Sequence, residues 1–128
     1  MEPRILIVDE PTTGLDWQGG EAMMRLMRAL HAGGRTIVII THDMNIVAEF
    51  AERAVVMAGG RIVADGTAAE VFSQDAALRE ADLRAPQAFQ IALRRPDLFG
   101  GQPLTVDDAR RSLLSRSAVP PLPAGDLG

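Results

Sequence analysis

Lysine and cysteine are both missing from the 128 residues, and every one of the 13 basic side chains is an arginine. A phosphate-binding loop of the G-x-x-x-x-G-K-[ST] type uses its lysine to reach the outer phosphates, so these residues hold no such loop. Without cysteine there is no disulfide and no thiolate metal site. Positive charge is also scarce: 13 basic against 17 acidic residues give a formal net charge of -4, which offers no electrostatic case for nucleic acid or an anionic lipid surface. No run approaches the roughly 18 apolar residues of a membrane span, and no long apolar stretch follows Met1-Glu2-Pro3-Arg4 as it would in a signal peptide. The chain is therefore expected in the cytoplasm, reaching a membrane only through a partner. At 47% hydrophobic residues it has material for a core and the length of one domain or a piece of one.

What is present begins with Ile5-Leu6-Ile7-Val8, a non-alternating β-branched run. It reads as a strand buried on both faces of a parallel sheet. Asp9-Glu10-Pro11 ends it, and Pro11 is expected to hold Glu10 extended. Asp16 is a candidate N-cap, followed by a helix whose buried stripe would be Met23, Leu26, Met27 and Leu30 and which stops at Gly33-Gly34. A second apolar run, Thr36 to Ile40, completes a βαβ unit and implies a parallel pair. Met44 to Ala51 reads as a short helix. Ala54–Met57 and Arg61–Ala64 flank Ala58-Gly59-Gly60 as an antiparallel hairpin at the end of the sheet. Thr67 caps a short helix over Ala68–Phe72. Asp75–Ala81, Gln87–Arg94 and, more weakly, Val106–Leu114 are further helical candidates, and the proline-rich stretch from Ser115 is expected to lack fixed structure.

The chemistry-bearing types gather at strand ends. In an open parallel sheet, ligands bind beyond the carboxyl ends of the strands. Two adjacent carboxylates there, Asp9 and Glu10, suit a phosphate–Mg²⁺ reaction, one holding the metal through water and the other orienting or deprotonating an attacking water. The same pair is equally read as two solvated acids. His42 ends the second strand at the same edge and can reach Glu10 if the strands are neighbours, although a lone histidine after a strand is more often structural. Thr13-Gly14-Leu15-Asp16 is, taken alone, an ordinary turn with a capping aspartate. His31 is a helix-end residue near the dipole, with no chemistry assigned.

Taken in order, these pieces resemble the ATPases of ABC (ATP-binding cassette) transporters. Ile5 through Pro11 resembles the family's Walker B motif with its catalytic glutamate; Thr13-Gly14-Leu15-Asp16 resembles the D-loop; Ile40-Thr41-His42-Asp43 resembles the switch-histidine motif. The stretch from Val55 to Thr67 resembles the hairpin that follows, so the resemblance covers residues 4 to 72. It implies an α/β architecture, part of a P-loop NTPase fold with a parallel βαβ core, a carboxy-terminal β-hairpin and helices. It further implies that Asp9 holds Mg²⁺ through water, that Glu10 is the general base, and that His42 contacts the γ-phosphate of ATP. Asp16, with Gly14, would pack at a dimer interface with a second ABC ATPase domain, and a transmembrane transporter subunit would be the other partner, placing the protein on the inner face of the membrane. Asp43-Met44 and Ala85-Pro86-Gln87 are similar to the energy-coupling-factor importers, which take up cobalt, nickel or vitamins. Trp17 departs from the family's usual proline, and residues 96 to 128 match no motif.

The family's phosphate-binding loop, Q-loop and signature motif lie ahead of Walker B and do not occur in these residues. The expected organisation is residues 1–73 as the carboxy-terminal part of an ABC ATPase domain, 74–114 as a helical extension and 115–128 as a tail. Two functional readings stand: a fragment of a transport ATPase that is inactive alone, or a non-enzymatic module that pairs with a full ABC ATPase.

Overall fold

A computed structural model describes residues 3–99 and 101–116. The chain divides into two compact units, one up to Arg84 and one from Ala85 onward.

The first unit starts with β1 (Ile5–Asp9), α1 (Trp17–Ala32) and β2 (Thr36–Ile40). The two strands pair in parallel, in a register that sets Ile5 against Thr36, Ile7 against Val38 and Asp9 against Ile40. Parallel neighbours need a long crossover, and α1 supplies it, packing against β2. Asp16 caps the helix through a 2.7 Å hydrogen bond from the Gly19 amide. Met24 and Met27 are its buried residues, with Met23 and Leu30 half-buried. Leu26, expected in the stripe, is exposed. Both Met24 and Leu26 are apolar, so the inner face could be rotated by part of a turn without disturbing the 3.6-residue period.

The sheet also departs from expectation. Leu6, Val8, Ile37 and Ile39 are half-buried, whereas the opposite face is open, with Ile5 60%, Ile7 65%, Val38 42% and Ile40 53% exposed. A fully apolar strand is the signature of burial on both faces, and in the described residues only one face is covered.

After α2 (Met44–Phe50) come β3 (Ala54–Ala58) and β4 (Arg61–Gly66), then α3 (Ala68–Phe72) and α4 (Asp75–Glu80). Gly59 and Gly60 take φ of 56° and 76°, the left-handed pair that a two-residue hairpin turn requires. The hairpin forms its own two-stranded antiparallel sheet; it does not extend the β1–β2 sheet as expected. A bulge at Val56/Met57 adds a residue on the β4 side. The helices α3 and α4 pack on this hairpin, and Thr67 caps α3 through the Glu70 amide. Val56, Ala64, Ala68, Val71, Phe72 and Leu78 are buried and make up a core of their own. Burying a side chain such as Phe72 contributes about 1.5–3 kcal/mol.

The second unit holds α5 (Gln87–Arg94) and α6 (Val106–Arg116), which contact each other. Ala88, Phe89 and Ala92 are the buried residues of α5. Thr105 and Asp108 cap α6 reciprocally, amide to side chain in both directions, at 3.2 and 3.1 Å. Ser115 and Arg116 belong to this helix, and the remainder of the expected tail lies outside the described residues. No helix among the described residues is long and apolar enough to cross a membrane.

An open apolar sheet face drives self-association. The purified chain is expected to associate with rising concentration in light scattering, and the pair Ile7→Thr with Val38→Thr to suppress this while helix content stays unchanged. Equal association of both proteins would show that the open face is not responsible.

Candidate functional site

The parallel register brings the candidate residues together. One further ladder bond, from the Glu10 amide to the Ile40 carbonyl at 2.8 Å, carries the pairing past the last strand residues. The segment after β2 then lies beside the end of β1. Glu10 Oε1 accepts from the His42 Nδ1–H at 2.7 Å and from the His42 amide at 3.2 Å, and Oε2 accepts from the Thr41 hydroxyl at 3.3 Å. A carboxylate only accepts, so Nδ1 is the protonated ring nitrogen in this contact. No described hydrogen bond engages Nε2, and the His42 side chain is 79% exposed against 31% for Glu10.

The backbone of Glu10 is not extended. Its φ is +47°, a left-handed conformation that is rare outside glycine. The chain turns sharply here, with the Thr13 amide bonded to the Glu10 carbonyl at 3.2 Å. Such a conformation costs on the order of 1–3 kcal/mol, and the three hydrogen bonds to the carboxylate offset it. The preference imposed by Pro11 is overridden by these long-range partners.

The hydrogen bond from His42 is the main reason the Glu10 carboxyl is held below its ordinary range; partial desolvation opposes it, and the histidine's charge, its amide and the Thr41 hydroxyl add to the lowering. Glu10 is thus ionised at neutral pH, as a proton acceptor must be.

Asp9 sits one residue earlier, on the open sheet face in register with Ile40, exposed and without a described hydrogen bond or ion pair. Gly14 has φ of 79° in the turn that follows, with open space where a side chain would be. Asp16 spends one carboxylate oxygen on the helix cap. Neither Gly14 nor Asp16 is bonded to Glu10 or His42 in the described residues, and Trp17 beside them is 79% exposed. No group of three or more His, Cys, Asp or Glu among the described residues could enclose a metal ion.

The roles of two residues named only as neighbours of His42 in its motif escaped the sequence reading. Thr41 joins Glu10 to the next helix, because its hydroxyl oxygen also accepts from the Asp43 amide at 3.0 Å. Asp43 then caps α2 through the Asn45 amide at 2.9 Å. The available signal was the Thr-His-Asp order itself, since a Thr or Asp just before a helix is a capping type.

His31 is also more than a helix-end residue. Its Nδ1 lies 2.9 Å from the Arg35 carbonyl and its Nε2 3.3 Å from Glu52. Both partners are acceptors, so the doubly protonated ring satisfies both. The Arg35 carbonyl first, then the Glu52 carboxylate, raise the histidine above its ordinary value.

No family model matches the sequence. Similar proteins are plentiful among curated sequences. The energy-coupling factor transporter ATP-binding protein EcfA of Methanosphaera stadtmanae is 39% identical over 121 residues, covering 91% of this chain and 44% of that protein. The EcfA2 protein of Streptococcus thermophilus is 41% identical over 111 residues, 84% of this chain and 40% of its own length. The cobalt import ATP-binding protein CbiO of Rhodobacter capsulatus is 42% identical over 95 residues, 74% of this chain and 34% of its own length. Among solved structures, cbiO1 of Clostridium perfringens, described as part of the ABC transporter complex cbiONQ, superposes with a TM-score of 0.51 at 35% identity, covering 74% of this chain and 34% of that one. The chain thus spans less than half the length of these relatives. The likeness bears out the α/β, partial P-loop NTPase architecture and the resemblance read from the motifs.

Two pH effects follow. A carboxyl lowered by folding stabilises the fold above its ordinary value of 4.5, and that stability is lost as pH falls through the lowered folded value. Glu10→Gln is therefore expected to flatten the acid side of a melting-temperature profile; an unchanged acid limb would rule out the Glu10 contribution. A histidine raised by folding stabilises fully below its ordinary 6.5 and ceases to do so as pH climbs through the raised folded value. The melting difference between the unaltered chain and His31→Ala should then be greatest in mildly acid solution and fade with increasing pH. A difference that grows with pH would contradict the assignment.

Proposed function

We propose, from the homology of this chain to part of the ABC transporter ATP-binding proteins, that it supplies the metal-and-water half of an ATP-hydrolysing site in an importer of the energy-coupling-factor or cobalt type. The observation that carries this reading is the contact between Glu10 and His42 beyond the carboxyl ends of two parallel strands.

Glu10 is the general base. Its ionised carboxylate keeps Oε2 with a single long hydrogen bond, from Thr41, and this oxygen has capacity to accept the proton of an attacking water. His42 gives Nδ1–H to Glu10 and leaves the rest of its exposed ring, Nε2 included, open toward the place a terminal phosphate would take. The donor set fits Mg²⁺ held through water: Asp9 is exposed and unengaged, and the ion's other ligands would be water and phosphate oxygens. Bound there, Mg²⁺ would neutralise charge developing on the phosphates. Asp16 and Gly14 would meet a second ABC ATPase domain, and a transmembrane subunit would couple the reaction to transport on the inner face of the membrane. With no lysine in the sequence, the chain alone is expected to show no ATP turnover.

A chimera tests this. Replacing the matching stretch of the Rhodobacter capsulatus CbiO protein with the 95 aligned residues of this chain should preserve ATP hydrolysis. Glu10→Gln in that chimera should lower kcat by about 10²–10⁴ and leave nucleotide binding intact. A folded chimera that binds nucleotide yet hydrolyses equally with and without Glu10 would sink the assignment.

The open β1–β2 face favours a second reading, in which the chain serves as a non-enzymatic module pairing with a complete ABC ATPase. Native-cell pull-downs that recover no ATPase or transporter subunit would count against it.

A further inference from the structure

His42 lies directly ahead of Asp43, the N-cap of α2, and α2 is poorly equipped to hold itself in place. It has seven residues, and none of them is fully buried. Isolated helices shorter than about 12–15 residues are marginal in water. Its amino-terminal end is tied by Asp43 and Thr41. At its carboxy-terminal end the last carbonyls lack intrahelical partners and present the negative end of the dipole, and the final turn contains no basic residue of its own.

That cation comes from α1. Arg28 Nη2 donates to the Glu49 carbonyl at 3.2 Å, and its guanidinium lies over the Phe50 ring, 4.4 Å from the centroid. This is within the range of a cation–π contact. One helical turn further along α1, His31 reaches Glu52, just beyond the end of α2. Residues 28 and 31 are three apart and share a helix face. The two side chains therefore form a ridge that grips the far end of α2, while Glu10 holds the segment ahead of its near end. Seven residues at 1.5 Å per residue put the two grips about 10 Å apart.

We propose that Arg28, assisted by His31, is a positioning residue for His42: by gripping the carboxy-terminal end of α2, it fixes through that helix where the imidazole meets Glu10. The proposal rests on the reading of His42 as a participant in ATP chemistry, although the contact it concerns is measurable without nucleotide.

The test is ¹⁵N NMR of the histidine rings in the 128-residue chain, kept dilute enough to be monomeric. In the unaltered chain His42 should show a protonated, hydrogen-bonded Nδ1. Arg28→Ala should shift the His42 ring signals to those of a free histidine while the backbone amides of Leu6 and Ile37 in the β1–β2 pair keep their positions. Arg28→Lys, which keeps a cation over Phe50, should restore the signature in part. A purely local structural role for Arg28 would not move a ring at the opposite end of α2. If Arg28→Ala unfolds the chain, Phe50→Leu decides the matter, since it keeps apolar bulk and removes the ring beneath the guanidinium; the same His42 shift is expected. The proposal is overturned if the His42 signature survives in either folded variant, or is missing from the unaltered chain. Loss of the base role of Glu10 in the chimera would leave this result untouched.

Discussion

The parallel pairing of β1 with β2 is the constraint on which the site depends. The two strands are separated in sequence by all of α1, and nothing local ties Glu10 to His42. Their proximity is set by register: Asp9 opposite Ile40, then the Glu10 amide on the Ile40 carbonyl. A slip of one residue would turn the whole apolar set of a strand to the other face and would separate the carboxylate from the histidine. The contact is thus a product of sheet geometry before it is a product of charge.

Around that pairing, the local chemistry is economical. The Glu10 carboxylate serves three donors at once, and one of them, the Thr41 hydroxyl, also accepts from the amide of the residue that caps α2. A continuous run of hydrogen bonds therefore links the end of one strand to the start of the next helix. The left-handed backbone at Glu10 belongs to the same arrangement. Strain of this kind persists where surrounding structure over-determines it, and here the surroundings are the strand pairing on one side and the 41–42 segment on the other.

Much of this was legible in the sequence because it depended on near neighbours. The two β-branched runs, the caps at Asp16 and Thr67, and the Gly59-Gly60 turn are all local signals, and each element appears where it was expected. What depended on distant partners was not legible. The rule for a residue before proline pointed to an extended Glu10, and contacts some thirty residues away in sequence prevailed. Met24 and Leu26 are both apolar, and only the packed sheet selects between them. The hairpin was assigned to the main sheet because strand patterns carry no information about which edge they join. The grip of α1 on the end of α2 left no pattern either, since Arg28 reads as an ordinary surface arginine until Phe50 is placed beneath it.

The single tryptophan has a practical side. Trp17 follows directly on the capping Asp16, almost fully in solvent, and the chain contains no tyrosine. Intrinsic fluorescence therefore reports on one spot, the turn between β1 and α1. Because the indole is already wet in the native fold, its emission barely registers unfolding. Anything that settles over that turn moves the indole into a drier environment and shifts the emission to the blue. The chain carries its own optical reporter for docking at this corner, and one that is nearly silent to the state of its core.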